Sequence, residues 1–305
     1  MAREKNMIGS RRTLKRTRED WILDTFVYTC AVVIFIACAY PFYLAMVLAF
    51  NEGKDAALGG IFFWPRKFTT ENFERLLQDP IWGQALLVTV SRTVLGTVIT
   101  TIFTSFVAYG LSDRRLLGRK VYMTMVIIAM YFSGGIVPYF AVLRSLRLTN
   151  NFLVYIIPSM LSLFYVLVSI SFFQDIPREL AESARIDGAG ELGIFMKIIL
   201  PVSKPLLATI AIFTAVSHWN SWYDAAFFVQ DKSLRTLGYQ LMSVINKSSA
   251  NMTANLSPEA LAATQTTTMS VQVAAMLVAV VPILVVYPFF QRYFVSGLTI
   301  GSVKG

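Results

Sequence analysis

Six separate stretches of this chain are long and apolar enough to cross a bilayer as helix. That recurrence constrains the fold more than any other feature. The runs lie at 25–50, 84–111, 121–143, 152–173, 205–229 and 270–294. A crossing needs roughly 20 apolar residues in helical form, because hydrocarbon offers no partner to an open backbone group. Hydrophobic residues make up 55% of the 305, and charged residues only 15%. A water-soluble domain so composed would expose large apolar patches. The predicted class is all-α, a polytopic membrane protein with six transmembrane helices. Disordered, collagen-like and disulfide-scaffold classes are excluded by the same composition. The first run is too long for a cleaved signal peptide, and its Tyr40-Pro41-Phe42 end lacks a small-residue cleavage pattern. Cys30 and Cys38 sit inside that run without metal or redox spacing, and read as small apolar side chains.

The net charge of +9 would suggest nucleic acid in a soluble protein, but here its sign reports topology. Seven Lys/Arg precede the first run, and four more lie in each of the segments 112–120 and 174–204. Together with Arg292 and Lys304 they place seventeen cations on one side of the bilayer, against nine on the other and Arg92 within a run. Cationic flanks stay in the cytoplasm, so both termini are predicted there, as an even number of crossings also requires. The expected organisation is a basic N-terminus at 1–24, a six-helix membrane domain at 25–295 and a short tail at 296–305. The partner this composition implies is the lipid bilayer, not nucleic acid. An external loop at 51–83 carries an amphipathic piece, Glu71-Asn72-Phe73-Glu74-Arg75-Leu76-Leu77.

The stretch between the fourth and fifth runs is unusual. Pro177 suits a helix first turn, and the residues from Glu179 to Ile186 are mostly good helix formers. Asp187-Gly188 is a turn signal, because glycine takes positive φ at no steric cost. A second amphipathic helix is predicted to follow and to stop at Pro201. The result is a helix–turn–helix at 177–201 on the cytoplasmic side, pinned between two crossings. Its spacing is Glu182-Ser183-Ala184, three residues, Gly188, nine residues, then Ile198-Ile199-Leu200-Pro201.

That pattern resembles the EAA loop of ABC importer permeases: Glu-Ala-Ala, three residues, Gly, nine residues, Ile-x-Leu-Pro. The one departure is Ser183 for the middle alanine, a small residue that still allows close helix contact. Other stretches are similar to the carbohydrate-uptake branch, of the maltose-importer second-permease type and its polysaccharide and oligosaccharide members. They are Trp64-Pro65 with Phe68-Thr69, Phe132-Ser133-Gly134-Gly135-Ile136-Val137-Pro138, Trp219-Asn220, and the ending Gly297-Leu298-Thr299 to Val303-Lys304-Gly305. The resemblance implies a type I ABC importer permease fold with a cytoplasmic coupling helix. It also implies a second homologous permease, two ATPase subunits, an extracytoplasmic solute-binding protein and a sugar substrate. Carried over residue by residue, Glu182 is the candidate for an ion pair with the ATPase. Ser183 and Ala184 permit close approach, Asp187 and Gly188 make the turn, and Ile198, Leu200 and Pro201 complete the motif. The chain has no Gly-x-x-x-x-Gly-Lys-[Ser/Thr], so it carries no phosphate-cradling loop of that kind. No cofactor is expected on this chain, with ATP and Mg used by the partner ATPase.

The expected substrate path rests on the fifth run. If that run is one helix, Thr214, Ser217, Ser221 and Asp224 share a face, with His218, Trp219, Asn220, Trp222 and Tyr223 around it. Intramembrane polar residues face a cavity or glue helices together, and for Asn220 and Asp224 the two readings stand level. The aromatics read first as packing, and His218 as a satisfied structural side chain. Arg92 must snorkel, pair or face the cavity. Gly134-Gly135 and Pro138 either break the third run or merely kink it. An embedded enzyme finds no chemistry here, since one histidine and no His-Glu-x-x-His or Gly-x-Ser-x-Gly motif are present. An ion-driven secondary transporter would leave the EAA loop unexplained. An ABC permease for a non-sugar solute is the remaining alternative.

Overall fold

A computed structural model describes residues 18–253, 272–285 and 288. Among these residues the chain is helical, with one isolated antiparallel bridge between Asn51 and Phe68. The cations ahead of Arg18, the tail at 296–305 and the ends of the sixth run lie outside the described residues.

Helix α1 (Arg18–Ala49) begins seven residues before the first apolar run and exposes apolar side chains along most of its length. Cys30 and Cys38 lie on that exposed surface. Two short helices follow, α2 (Gly53–Ala57) and α3 (Glu71–Gln78), the second holding the amphipathic piece of the loop at 51–83. Asn72 is buried and donates to the carbonyls of Ala49 (2.8 Å) and Asn51 (2.9 Å), which fastens this loop onto the end of α1.

Helix α4 (Pro80–Ser112) is the axis of the molecule. Pro80 fills its first turn, and the Asp79 carboxylate accepts from Ile81 N–H at 3.0 Å. Its 33 residues reach roughly 50 Å, well beyond the apolar thickness of a bilayer.

The third run is broken, not kinked. Helices α5 (Arg119–Tyr131) and α6 (Ile136–Ser145) meet at 118° across Phe132-Ser133-Gly134-Gly135. Gly135 has φ +82°, a backbone conformation that a side chain would strain.

The fourth run departs further from the predicted single crossing. It opens with a 3₁₀ turn at Phe152–Tyr155, continues without helix to Ser162, and only then forms α7 (Leu163–Gln174). Pro158 is the local cause, because it lacks an N–H and disfavours helical geometry at the residue before it. The freed backbone is recovered by α4. Thr100 donates to Ser159 O (2.8 Å), Thr104 to Met160 O (3.3 Å), and Ser162 N–H donates back to Thr104 Oγ1 (3.1 Å). Non-helical backbone at membrane depth is tolerated where protein satisfies it in this way.

Helices α8 (Glu179–Ile186) and α9 (Glu191–Ile194) form the predicted helix–turn–helix. The expected stop at Pro201 does not occur. A π-turn at Phe195–Ile199 leads into α10 (Leu200–Val202), and the chain bends by 83° only at Ser203. Pro201 would clash with the Lys197 carbonyl in a regular helix, and the wider π-turn just ahead of it relieves that contact.

The fifth run is likewise two helices, α11 (Lys204–Asn220) and α12 (Tyr223–Phe228), separated at Ser221-Trp222. A polar loop leads to α13 (Leu237–Thr253), and α14 (Gln272–Val285) is the described part of the sixth run. Only α1 and α4 are individually long and apolar enough to span among the described residues. Counting each bent pair as one span gives four.

Two buried clusters organise the bundle. One joins Ala108 and Leu111 of α4 to α7, to Ile194, Phe195 and Ile199, and to Leu206 and Ile210 of α11. The other gathers Leu143, Tyr155, Ala225 and Phe228 near the opposite end.

Candidate functional site

The two sequence-selected regions occupy the two ends of α4. The helix–turn–helix at 177–201 packs against its C-terminal end. Gly188 takes φ +82° after the last turn of α8. Its N–H donates to Arg185 O (3.0 Å) and that of Ala189 to Ala184 O (2.9 Å). Those two bonds define a Schellman cap, which a glycine closes without strain. Ala181 and Ala184 turn inward onto the buried cluster, as do Ile198 and Leu200. Ser183 folds its hydroxyl back onto Glu179 O at 2.7 Å. Glu182, Ile186 and Asp187 face outward. Glu182 pairs with no described side chain, and Ile186 is 86% exposed. An open cleft of about 900 Å³ runs beside α8, between it and the ends of α4 and α7, with Arg114, Arg178 and Glu182 on its walls.

Three residues that the sequence reading passed over hold this loop in place. Arg185 donates to the two Glu191 carboxylate oxygens at 2.6 and 3.2 Å, and Tyr109 of α4 donates its hydroxyl to the same carboxylate at 2.9 Å. The Arg185 guanidinium holds the Glu191 carboxyl below the usual glutamate range, with the Tyr109 hydroxyl acting in the same direction. The Tyr109 ring packs on Phe195 (5.4 Å) and Phe173 (6.3 Å). Arg185 and Glu191 are six apart across a turn, a spacing that no helical rule marks as a pair, so only the cap geometry brings them together.

Near the other end of α4, Arg92 is buried, with 3% of its surface exposed. It forms an ion pair with Asp224 of α12. Its Nε–H donates to His218 Nδ1 and its Nη1–H to Ser221 O, both at 3.3 Å. The guanidinium also lies over the Tyr155 ring, 4.6 Å from its centre. Ser221 Oγ donates to Asp224 at 3.2 Å. Arg92 is thus a paired cation, with its carboxylate partner on α12. His218 accepts the bond from Arg92 Nε–H and lies against Gly96 so closely that a Cβ there would sit 2.5 Å from Nε2.

The arrangement closes the break in the fifth run. The single polar face expected through Thr214, Ser217, Ser221 and Asp224 does not exist, because the helix ends at Asn220 and Asp224 belongs to the next one. Thr214 is buried while Ser217 and Asn220 are exposed, and Asn220 donates back to Val216 O at 3.0 Å. Trp219 donates to Ala279 O at 2.9 Å and so ties α11 to α14. Trp222 and Tyr223 are partly exposed and lie ring to ring at 6.2 Å, with Tyr223 packed further onto Phe227 and Phe228. Tyr155 escaped the sequence reading because its apolar run offers no spacing that points to Arg92. Among the described residues no cluster of His, Cys, Asp or Glu could hold a metal.

Among the described residues the chain is helical, with three interrupted apolar runs, a capped loop between α7 and α11 and a buried ion pair. Over residues 13–300 it matches the family described as binding-protein-dependent transport system inner membrane component, and the chain belongs to that family. The polygalacturonan/rhamnogalacturonan transport system permease protein YtcP of Bacillus subtilis is 34% identical over 284 residues, covering 93% of this chain and 99% of that one. Protein LplC of the same organism is 35% identical over 266 residues, covering 87% and 89%. The fold is similar to a chain in the crystal structure of a bacterial ABC transporter involved in the import of the acidic polysaccharide alginate. That chain has a TM-score of 0.82 and 27% identity, with 92% of this chain and 100% of the other covered.

Proposed function

We propose that this chain is the permease subunit of an ATP-driven sugar importer, and that α8 is its coupling helix. In this reading the chain crosses the cytoplasmic membrane six times, with both termini inside. It lines half of the pathway beside a second, homologous permease. Two separate ATPase subunits bind ATP and Mg, and an extracytoplasmic binding protein delivers the sugar to the external loops. The observation that carries the reading is the form of α8. A capped helix presents a carboxylate, Glu182, that no described side chain engages, next to the exposed Ile186. A surface helix that leaves its charge open and its apolar residue in water is shaped for a partner.

The mechanism follows from how the loop is mounted. Closure of the ATPase dimer pushes α8, and α8 passes the displacement to α7 and α11 through the chain on either side. Spans broken at Gly134-Gly135 and at Ser221-Trp222 can rearrange at their breaks while the helices stay rigid. Acidic oligosaccharide or polysaccharide is the cargo favoured by the similarity to the polygalacturonan and alginate systems.

The test is co-purification of the ATPase with Glu182→Lys. A buried interfacial charge pair lost at one partner costs about 2–5 kcal/mol, so the variant should lose most of its ATPase while remaining in the membrane. Undiminished association and uptake would remove α8 from the coupling role. Thermal shift of the partner binding protein against neutral and uronic-acid oligosaccharides tests the cargo.

A further inference from the structure

The coupling helix is continuous in sequence with spans four and five only. Span two, the long α4, has no covalent reason to follow it. Yet the polar side-chain contacts described above reach from α8 to α4 through one carboxylate. Glu191 holds Arg185 of α8 on one side, at 2.6 and 3.2 Å, and Tyr109 of α4 on the other, at 2.9 Å. The carboxylate spends both oxygens on these two partners, and charge-assisted bonds of this kind are short and directional. Behind it, the Tyr109 ring is wedged against Phe195 and Phe173, so the hydroxyl cannot swing away without disturbing buried packing. Seventeen residues further toward the N-terminus, on the same unbroken helix, Arg92 grips both sides of the break in span five.

We propose that Tyr109, Glu191 and Arg185 form a transmission tether that makes span two move with the coupling helix. All three are positioning residues, acting through α4 on the Arg92 clamp roughly 25 Å away by helical rise. The tether adds a directional polar link to the apolar packing between the loop and α4, the span that reaches the break at Ser221-Trp222. Without it, α8 and α4 would be joined through the apolar contacts of the buried cluster, which hold no fixed direction, and the register of the clamp against α12 would loosen. The inference rests on α8 being the coupling helix.

The experiment uses the whole importer in proteoliposomes, with nitroxide labels at Val94→Cys on α4 and Leu192→Cys on the loop, both exposed positions, in a Cys30→Ser, Cys38→Ser background. The parent should keep one narrow label distance both without nucleotide and with ATP and vanadate. Glu191→Gln and Tyr109→Phe should each populate a second distance in the ATP state. The expected rise is about tenfold, the scale of losing one hydrogen bond to a charged group. Arg185→Glu should do the same, and the swapped pair Arg185→Glu with Glu191→Arg should narrow the distribution again. Unchanged distances in Glu191→Gln and Tyr109→Phe would overturn the tether. So would failure of even Tyr109→Phe to assemble, since the group would then be a plain structural staple. Broadening that persists when no ATPase associates with the parent would keep the tether and sink the coupling-helix reading instead.

Discussion

The two ends of α4 face opposite problems and solve them oppositely. At Arg92, a cation is buried and engaged by Asp224, His218, Ser221 and Tyr155. At the EAA-type loop, the charges stand in or near water, and one carboxylate, Glu191, is engaged by Arg185 and Tyr109 while another, Glu182, is met by no described side chain. The buried end cannot leave a charge unmatched, because its desolvation would be uncompensated. The exposed end can, because water matches it until a partner arrives. The lesson is that an open charge marks a docking surface only where solvent makes openness cheap, and that the Arg92 cluster is a clamp on broken helices.

The largest effect is expected from breaking the buried end. Asp224→Ala strands Arg92 without its counter-ion and should cost about 3–5 kcal/mol, read as a fall in the thermal midpoint of the detergent-purified chain. Removing both partners together, as Arg92→Met with Asp224→Leu, should recover much of that loss. If the single variant is as stable as the parent, the cation has another partner and the contrast between the two ends fails.

A smaller loss tests the packing behind the clamp. Gly96→Ala would place a methyl 2.5 Å from His218 Nε2, and overpacking of this kind costs about 1–3 kcal/mol. Thermal unfolding alongside Gly83→Ala, where a methyl meets only open space, isolates the effect. Equal stability in the two variants would mean the helices part easily at that point.

At the exposed end, Gly188→Val should strain the cap by roughly 1–2 kcal/mol, because a side chain resists φ +82°. Its signature is faster hydrogen exchange at Ala189 and in α8, with the rest of the fold unaltered. Protection equal to the parent would show that the turn does not depend on glycine.

The smallest effect is a pH dependence confined to the loop. Arg185 and Tyr109 depress the Glu191 pKa, opposed by burial and by Asp113. A depressed carboxylate contributes stability above its unfolded pKa, and that contribution disappears as pH falls through the lowered folded value. Exchange protection of α8 should therefore hold through neutral pH and fade only below the ordinary glutamate range. The Glu191→Gln variant should show no such fade. Parallel profiles in the two proteins would dissociate the loop from this carboxylate.

What the amino-acid order determines alone is what depends on local periodicity and solvent. Runs of apolar residues and the bias of cations yield expectations of crossings and sides, and the spacing from Glu182 to Pro201 announces a turned loop, because helix propensity and glycine's φ are properties of neighbouring residues. Legibility ended where partners lie far apart in the chain. Arg92 meets Asp224 across 132 positions, and Tyr109 meets Glu191 across 82. The glycines at 134–135 left a break in the third run open as a local option, but the breaks at Ile156–Ser162 and Ser221-Trp222 were invisible to hydropathy for the same reason. A residue can be apolar enough for lipid and still leave the helix, provided another helix supplies its hydrogen bonds. Thr100 and Thr104 do so for the fourth run, and Arg92 does so for the fifth. Tertiary packing decided where the chain could afford to stop being helical, because only packing brings a donor to a carbonyl that water cannot reach.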